Sequence, residues 1–291
     1  NQQILDSFAY VHDKSVKDAN LVVGKISEVF IDEVDYITGA AKVTTMPTSQ
    51  LEDSAIIDFI NEVQMYFTDA DVSSAALFNF GSNLTAGDFK KKDVAYIYKY
   101  PNTLVGVNIT GANLKKYMEW SASYYNTFQP GDLTVSFNGK IRGYNYDMFS
   151  GLSYDIDLSK EVGNRIVNVQ LGGLDLVDYK TYKLAVNNYR FGTITKLGLV
   201  TKEDRYYDSV AKYADVPDGR IRDLIIKYTK ENKQGVIKPS VDYNWQLLGV
   251  SIDRILEEKA FDMVRNGTLK IPTSADGRTL NIKSITVADV Q

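Results

Sequence analysis

The apolar residues of this chain change their repeat many times along 291 residues, and the changes never settle into a strand–helix–strand rhythm. That one property does most to limit the fold. From Gln50 to Phe67 the apolar positions Leu51, Ala55, Ile56, Phe59, Ile60, Val63 and Phe67 recur at helical spacing, with Thr48 or Ser49 as the start. Further helices are expected from Thr110-Gly111, over Asp218 to Lys230, and over Ser251 to Asn266 with Gly267 as the stop. Between them lie strand patterns: 21–26, 75–78, 95–98, 103–109, 134–137 with an Asn138-Gly139 hairpin turn, 153–158, 165–169, 182–186 and a closing strand over 278–287. Strands and helices mixed without βαβ regularity predict an α+β domain: a single domain with a mixed, largely antiparallel sheet and flanking helices. With no Ser/Gly/Pro-rich linker, residues 21–291 read as one domain. Residues 1–20 read as a polar, weakly patterned interdomain connector.

The side chains present exclude several chemistries. There is no cysteine, so disulfide scaffolds, zinc ribbons and thiol catalysis are out. The single histidine, His12, cannot build a dinuclear His/carboxylate site and reads as structural. A net charge of −4 argues against a nucleic-acid polymer as partner, which needs clustered Lys and Arg; Lys90-Lys91-Lys92 reads as a solvated loop. No apolar run is long enough for a membrane span. The glycine-rich phosphate loops and the G-x-S-x-G elbow are absent. The chain opens on Asn1 in mid-pattern and reads as a fragment.

Twenty tyrosines against two tryptophans give the chain its chemical character. Tyrosine offers a flat apolar face and a polar tip, which suits rings and sugars. Two stretches join such rings to turn formers and polar groups: Tyr100-Pro101-Asn102-Thr103, and Tyr144 through Gly151. Rings from the two, facing across a cleft, would make a slot for a flat heterocycle. Asp155-Ile156-Asp157 has the form of a metal-binding D-x-D, but alternation around it favours a solvated strand face. Asn187-Asn188-Tyr189-Arg190 follows a strand; Arg190 is placed either to reach a phosphate or ribose or to serve a turn.

The order of motifs resembles the C-terminal, substrate-binding domain of the bacterial 5'-nucleotidase and 2',3'-cyclic-nucleotide 2'-phosphodiesterase family. The matching stretches are Y-K-Y-P-N-T-L-V-G-V-N-I-T-G-A-N-L-K (98–115), Y-N-Y-D-M-F-S-G-L-S-Y-D-I-D-L (144–158), V-G-N-R-I-V-N (162–168), Y-K-L-A-V-N-N-Y-R (182–190), P-D-G-R-I-R-D-L-I-I-K-Y (217–228) and I-P-T-S-A-D-G-R-T-L-N (271–281). The resemblance implies a secreted, cell-wall-associated or periplasmic two-domain hydrolase. Two divalent metals, held by His, Asp and Asn, would sit in an N-terminal metallophosphoesterase domain in cis that is absent from this chain; the chain itself would hold no cofactor and be inactive alone. Its partners would be nucleosides and nucleotides, with purines favoured. By motif position Tyr100 and Tyr146 resemble the two rings that sandwich the base. Asp147 and the backbone from Met148 to Gly151, Ser150 included, would lie beside the ribose, with Tyr144 in the same loop. Asn79 resembles the family's amide contact to the base. Where many 5'-nucleotidases carry N-G-G-G-I-R, this chain has Asn79 to Leu84 without the arginine, which tilts it away from the simple 5'-nucleotidase branch, while 271–281 resembles the cyclic phosphodiesterase branch. The rival expectations are a non-catalytic carbohydrate-binding or adhesion module and a phosphatase using carboxylate-held metal alone.

Overall fold

The computed structural model describes residues 2–30, 34–213 and 219–291. Residues 2–19, within the stretch expected as a polar, weakly patterned connector, form a helix, α1 (Gln2–Ala19). Ile4, Phe8 and Val11 stand at helical spacing on it and remain exposed. β1 (Val22–Ile26) follows, then α2 (Ala55–Thr68), which starts five residues later than its sequence pattern. The reason is Gln50. It is buried in a 3-10 turn, Thr48–Gln50, where its carbonyl accepts from the Tyr125 hydroxyl (2.6 Å) and its Oε1 from the Tyr124 hydroxyl (3.0 Å).

β2 (Val72–Ala76), β3 (Gly87–Lys90) and α3 (Lys91–Ile97) come next. A strand was the expectation at 95–98, but Asp93 Oδ2 accepts from Lys90 N (2.8 Å) and starts a helix that buries Val94 and Ile97, three residues apart. β4 (Leu104–Thr110) runs into α4 (Gly111–Ala122), with Thr110 Oγ1 accepting from Asn113 N (3.3 Å) as the sequence signals. The remaining elements are β5 (Asp147–Ser150), β6 (Ser153–Asp157), β7 (Ile166–Leu171), β8 (Leu174–Asp175), β9 (Thr181–Asn187), α5 (Asn188–Lys196), β10 (Arg205–Asp208), α6 (Ser209–Lys212), α7 (Ile221–Glu231), β11 (Val236–Ile237), β12 (Trp245–Leu248), α8 (Arg254–Arg265) and α9 (Val287–Val290). The expected start of α7 at Asp218 lies outside the described residues. The Asn138-Gly139 hairpin does not form. Residues 134–137 are buried, but their backbone is met by the chain's tail: Phe137 N donates to Asn281 O (2.9 Å) and Leu133 N to Ile285 O (2.7 Å). That tail makes one isolated bridge, Asp132 with Thr286, instead of a strand.

The strands form three sheets of mixed sense, ordered β11-β1-β3, β10-β4-β9-β2-β5 and β12-β6-β7-β8. One continuous apolar core joins them, from Val23 in β1 to Val290 in α9. In the five-stranded sheet, β9 and β2 are parallel and the other neighbours antiparallel. Register then decides what meets at each end. Leu104, opening β4, lies opposite Asn187, closing β9, and Asp147, opening β5, lies opposite Ala76, closing β2. The loops 77–83, 98–103 and 143–146 and the first turn of α5 therefore emerge together at one end of this sheet. Ser150, paired with Ser73, marks the other.

Candidate functional site

Three tyrosines gather at the first end. Tyr144 lies in the 3-10 turn Gly143–Asn145 before β5, with its ring 6.4 Å from Tyr100 at 73° and 6.4 Å from Tyr189 at 77°. Tyr144 thus meets both Tyr100 and Tyr189 edge to face. Phe78, after β2, packs edge to face on Tyr100 at 5.2 Å and 88°. Tyr100 and Tyr144 are half-buried, and Tyr189, in the first turn of α5, is 54% exposed.

A polar hub lies beneath. Asn187 caps α5, its Oδ1 accepting from Arg190 N (2.8 Å). Asn188 grips the base of the Tyr100 loop in both directions: its Oδ1 accepts from Thr103 N (3.0 Å) and its N donates to Thr103 O (2.9 Å). Arg190 and Asp147, each 2% exposed, form an ion pair through Arg190 Nε and Asp147 Oδ2. Arg190 Nη2 also donates to Asp147 Oδ1 (3.2 Å), and the Tyr117 hydroxyl donates to Asp147 Oδ2 (2.7 Å). The guanidinium lies over the Trp120 ring at 4.6 Å. Burial pushes the Asp147 carboxyl above its usual range even with Arg190 beside it. For Arg190, burial opposes the charge but the Asp147 carboxylate prevails, so its pKa is raised and it stays a cation.

These positions correct part of the sequence reading. Tyr146 is 1% exposed and has no free face: it stacks on Tyr124 (5.5 Å, 16°) and meets the edges of Tyr125 and Trp245. It is a core residue and cannot wall a ligand slot as placed here. Asp147 is spent on Arg190 and Tyr117 inside the protein, not offered to a ribose. Arg190 is likewise interior, which removes the reading in which it reaches out to a phosphate. Ser150 is buried, accepts from Asn61 Nδ2 (3.1 Å) and donates to Asp58 Oδ1 (3.3 Å); with Gly151 it lies at the opposite end of β5 from the tyrosines. Asn79 sits half-buried in the loop after β2, its Nδ2 donating to Tyr96 O (2.7 Å), at the tyrosine end. Tyr100 and Tyr144 are brought together. The sequence offers Tyr189 only within a polar motif; the signal for its ring is Asn187, a helix cap that turns the next aromatic outward.

At the far end of β5 lies a groove of about 750 Å³ between α2, α7 and residues 238–242. Asp58 and Asp242 line it, and with Asp53 they form a trio whose oxygens come within 4.8 Å of one another. Asp53 Oδ1 accepts from Trp245 Nε1 (3.1 Å), Asp53 Oδ2 from Asn244 N (3.3 Å), and Asp58 Oδ2 from Asp242 N (3.0 Å). Burial and then the negative charge of Asp242 push Asp53 up to about 6; burial, Asp53 and Asp242 push Asp58 up to about 7. The trio contains neither His nor Asn, so it does not match the donor set implied for the hydrolase metals. Asp155 and Asp157 lie on one face of β6 as expected; Asp155 accepts from Asn168 Nδ2 (2.7 Å) and Asp157 from the Ser159 hydroxyl (2.6 Å). His12 is exposed on α1.

The model of one family, described as 5'-nucleotidase, C-terminal domain, matches residues 23–197. Among curated proteins the chain is similar to the trifunctional nucleotide phosphoesterase protein YfkN of Bacillus subtilis, 24% identical over 70% of this chain and 16% of that protein. It is similar also to the 2',3'-cyclic-nucleotide 2'-phosphodiesterase/3'-nucleotidases of Haemophilus influenzae (26% identical, 69% of this chain, 35% of that protein) and Salmonella typhimurium (30%, 59% and 28%). The chain thus spans about a third or less of the length of these relatives. Among solved structures, a putative 5'-nucleotidase from Staphylococcus aureus superposes over 82% of this chain and 43% of its own with a TM-score of 0.66 at 19% identity. The 5'-nucleotidase precursor of Thermus thermophilus does so over 84% and 43% with 0.61 at 17%. At such identities the two structures speak for the fold. Among the described residues no helix is long and apolar enough to cross a membrane.

Proposed function

This chain belongs to the 5'-nucleotidase C-terminal domain family, and on that premise we propose that it is the nucleoside-gripping part of a secreted, two-domain nucleotide hydrolase of the 2',3'-cyclic phosphodiesterase/3'-nucleotidase kind. The base lies between Tyr100 and Tyr189, over Tyr144, with Asn79 at the rim. What supports the reading is the gathering of rings: two tyrosines, each meeting a third edge to face. Stacking contributes roughly 1–3 kcal/mol per base and tolerates different bases, so such a cradle would accept several nucleotides and favour purines for their larger face. The metals that activate water belong to a domain outside this chain. Here the work is to hold base and sugar, so that binding energy remote from the phosphorus orients it.

The test is calorimetric titration of adenosine and 3'-AMP against the wild type, Tyr100→Ala and Tyr189→Ala. Removing either wall should weaken binding about tenfold, the equivalent of about 1.4 kcal/mol. Wild-type affinity in both variants would sink the proposal.

A further inference from the structure

Arg190 is among the most deeply buried side chains of the protein, yet nothing in the proposed grip uses its charge. We infer that Arg190 is a positioning residue that sets the ring cradle from inside the fold, by tying the turn that carries Tyr144 to the helix that carries Tyr189. This rests on the reading that the rings take the base.

The guanidinium distributes its donors along one short stretch of chain. Nη2 donates to Tyr144 O (3.0 Å) and Asp147 Oδ1 (3.2 Å), Nη1 to Asn145 Oδ1 (3.4 Å), and Nε pairs with Asp147 Oδ2. The backbone of Tyr144, the side chain of Asn145 and the start of β5 are thus held by one rigid plane. That plane is itself fixed on its face by Trp120 at 4.6 Å, and Asp147 is fixed in turn by Tyr117 and by Ser121, whose Oγ accepts from Asp147 N (2.7 Å). The other end of the same side chain is the third residue after the α5 cap, next to Tyr189. Two positions upstream, Asn188 holds Thr103 and with it the Tyr100 loop. All three rings therefore hang on Asn187 to Arg190. A planar fork with five donors suits this task; a lysine ammonium is a single point that can keep Asp147 neutralised but cannot also span Tyr144 O and Asn145. Pre-setting the rings removes ordering that binding would otherwise have to supply.

The experiment is adenosine titration of Arg190→Lys, Asn145→Ala, Tyr144→Ala and the double variant Arg190→Lys/Tyr144→Ala, beside Tyr100→Ala and Tyr189→Ala, with thermal unfolding of each followed by circular dichroism. Arg190→Lys should unfold cooperatively and weaken adenosine about tenfold. In the Tyr144→Ala background the same change should alter affinity by less than about twofold, because the ring it positions is gone. A residue that merely supports stability would lower the melting temperature and leave affinity unmoved in both backgrounds. Should Arg190→Lys fail to fold, Asn145→Ala, which leaves the buried pair intact, carries the test with an expected weakening of about threefold. Wild-type affinity in Arg190→Lys (or in Asn145→Ala where that stands in), or equal weakening with and without Tyr144, overturns the inference, while Tyr100→Ala still weakening adenosine leaves the nucleoside grip standing. If neither wall variant weakens adenosine, the grip itself is wrong.

Discussion

The two ends of the five-stranded sheet treat the same chemical group in opposite ways. β5 is only four residues long, and it carries a carboxylate problem at each end. At its start Asp147 is 2% exposed and fully answered by Arg190 and Tyr117. Beyond its end, Asp53, Asp58 and Asp242 crowd together at the groove. The nearby lysines go elsewhere: Lys233 pairs with Glu62 (2.6 Å) and Lys238 with Glu28 (3.4 Å). The lesson is that a buried charge with complete partners works as a geometric fastener, whereas a crowded charge at a rim remains a titrating group. One end should be rigid, and the other should respond to pH across the neutral range.

The largest effect is expected where the fastener is broken. Asp147→Asn keeps the shape but leaves Arg190 a buried cation facing an amide. Breaking one side of a buried ion pair costs about 3–5 kcal/mol, to be read as a lower urea midpoint at unchanged m-value. A loss under about 1 kcal/mol would mean that solvent reaches Arg190, and the contrast between the two ends would collapse.

That fastener was not legible in the sequence, and the reason is local. Tyr144 and Tyr146 are two apart, so an extended chain would point both rings the same way. The chain instead turns through a 3-10 step at Gly143–Asn145, which leaves Tyr144 at the surface and drives Tyr146 onto Tyr124 in the core. Periodicity cannot foresee a single such turn. It served well where elements are long: α2, the β4–α4 junction at Thr110, and β6, where Tyr154, Ile156 and Leu158 are buried and the residues between them are not. It failed at α3 and α5, short helices that begin directly at strand ends, where a capping side chain (Asp93, Asn187) is the only notice given. Asp242 is brought to Asp58, 184 residues before it, and to Asp53 beside the pairing of β12 with β6, a contact that no local pattern encodes.

A smaller but still clear effect separates the ends at Gly151. Its φ is +92°, and an added Cβ would lie 2.2 Å from Asp71 O, a backbone atom that cannot swing aside. Gly151→Ala should lose about 2–4 kcal/mol, from left-handed strain of about 1–2 kcal/mol and the displacement of β2's entry. Gly143, at the tyrosine end, has no such φ, and its nearest neighbour would be the Gln50 side chain at 3.1 Å. Gly143→Ala should therefore stay within about 1 kcal/mol. Thermal unfolding of the pair reads the difference, and equal shifts would show that the groove end yields as easily as the loop end.

The smallest effect is the pH response of the carboxylate trio, and its sign is fixed by the direction of the shifts. Asp53 and Asp58 hold protons in the folded protein up to about 6 and about 7, whereas the unfolded chain releases them near 3.8. Between those limits the native state binds more protons than the unfolded one. This contribution is therefore fully present below about pH 4 and is lost as pH rises through about 6 and then about 7. Water reaches Asp242, so the repulsion is screened and the change is expected to be only about 1–2 kcal/mol. The groups facing the trio are Glu62, Lys233 and Lys238 across the groove and the buried Tyr154 behind it. Asp58→Asn removes one repelling charge without removing bulk. It should raise stability at pH 8 relative to wild type, flatten the slope between pH 4 and 8, and leave the tyrosine end untouched, so that adenosine affinity stays as it was. A slope that survives Asp58→Asn and vanishes with Asp147→Asn would reverse the assignment, making the interior pair the titrating element and the trio the inert one.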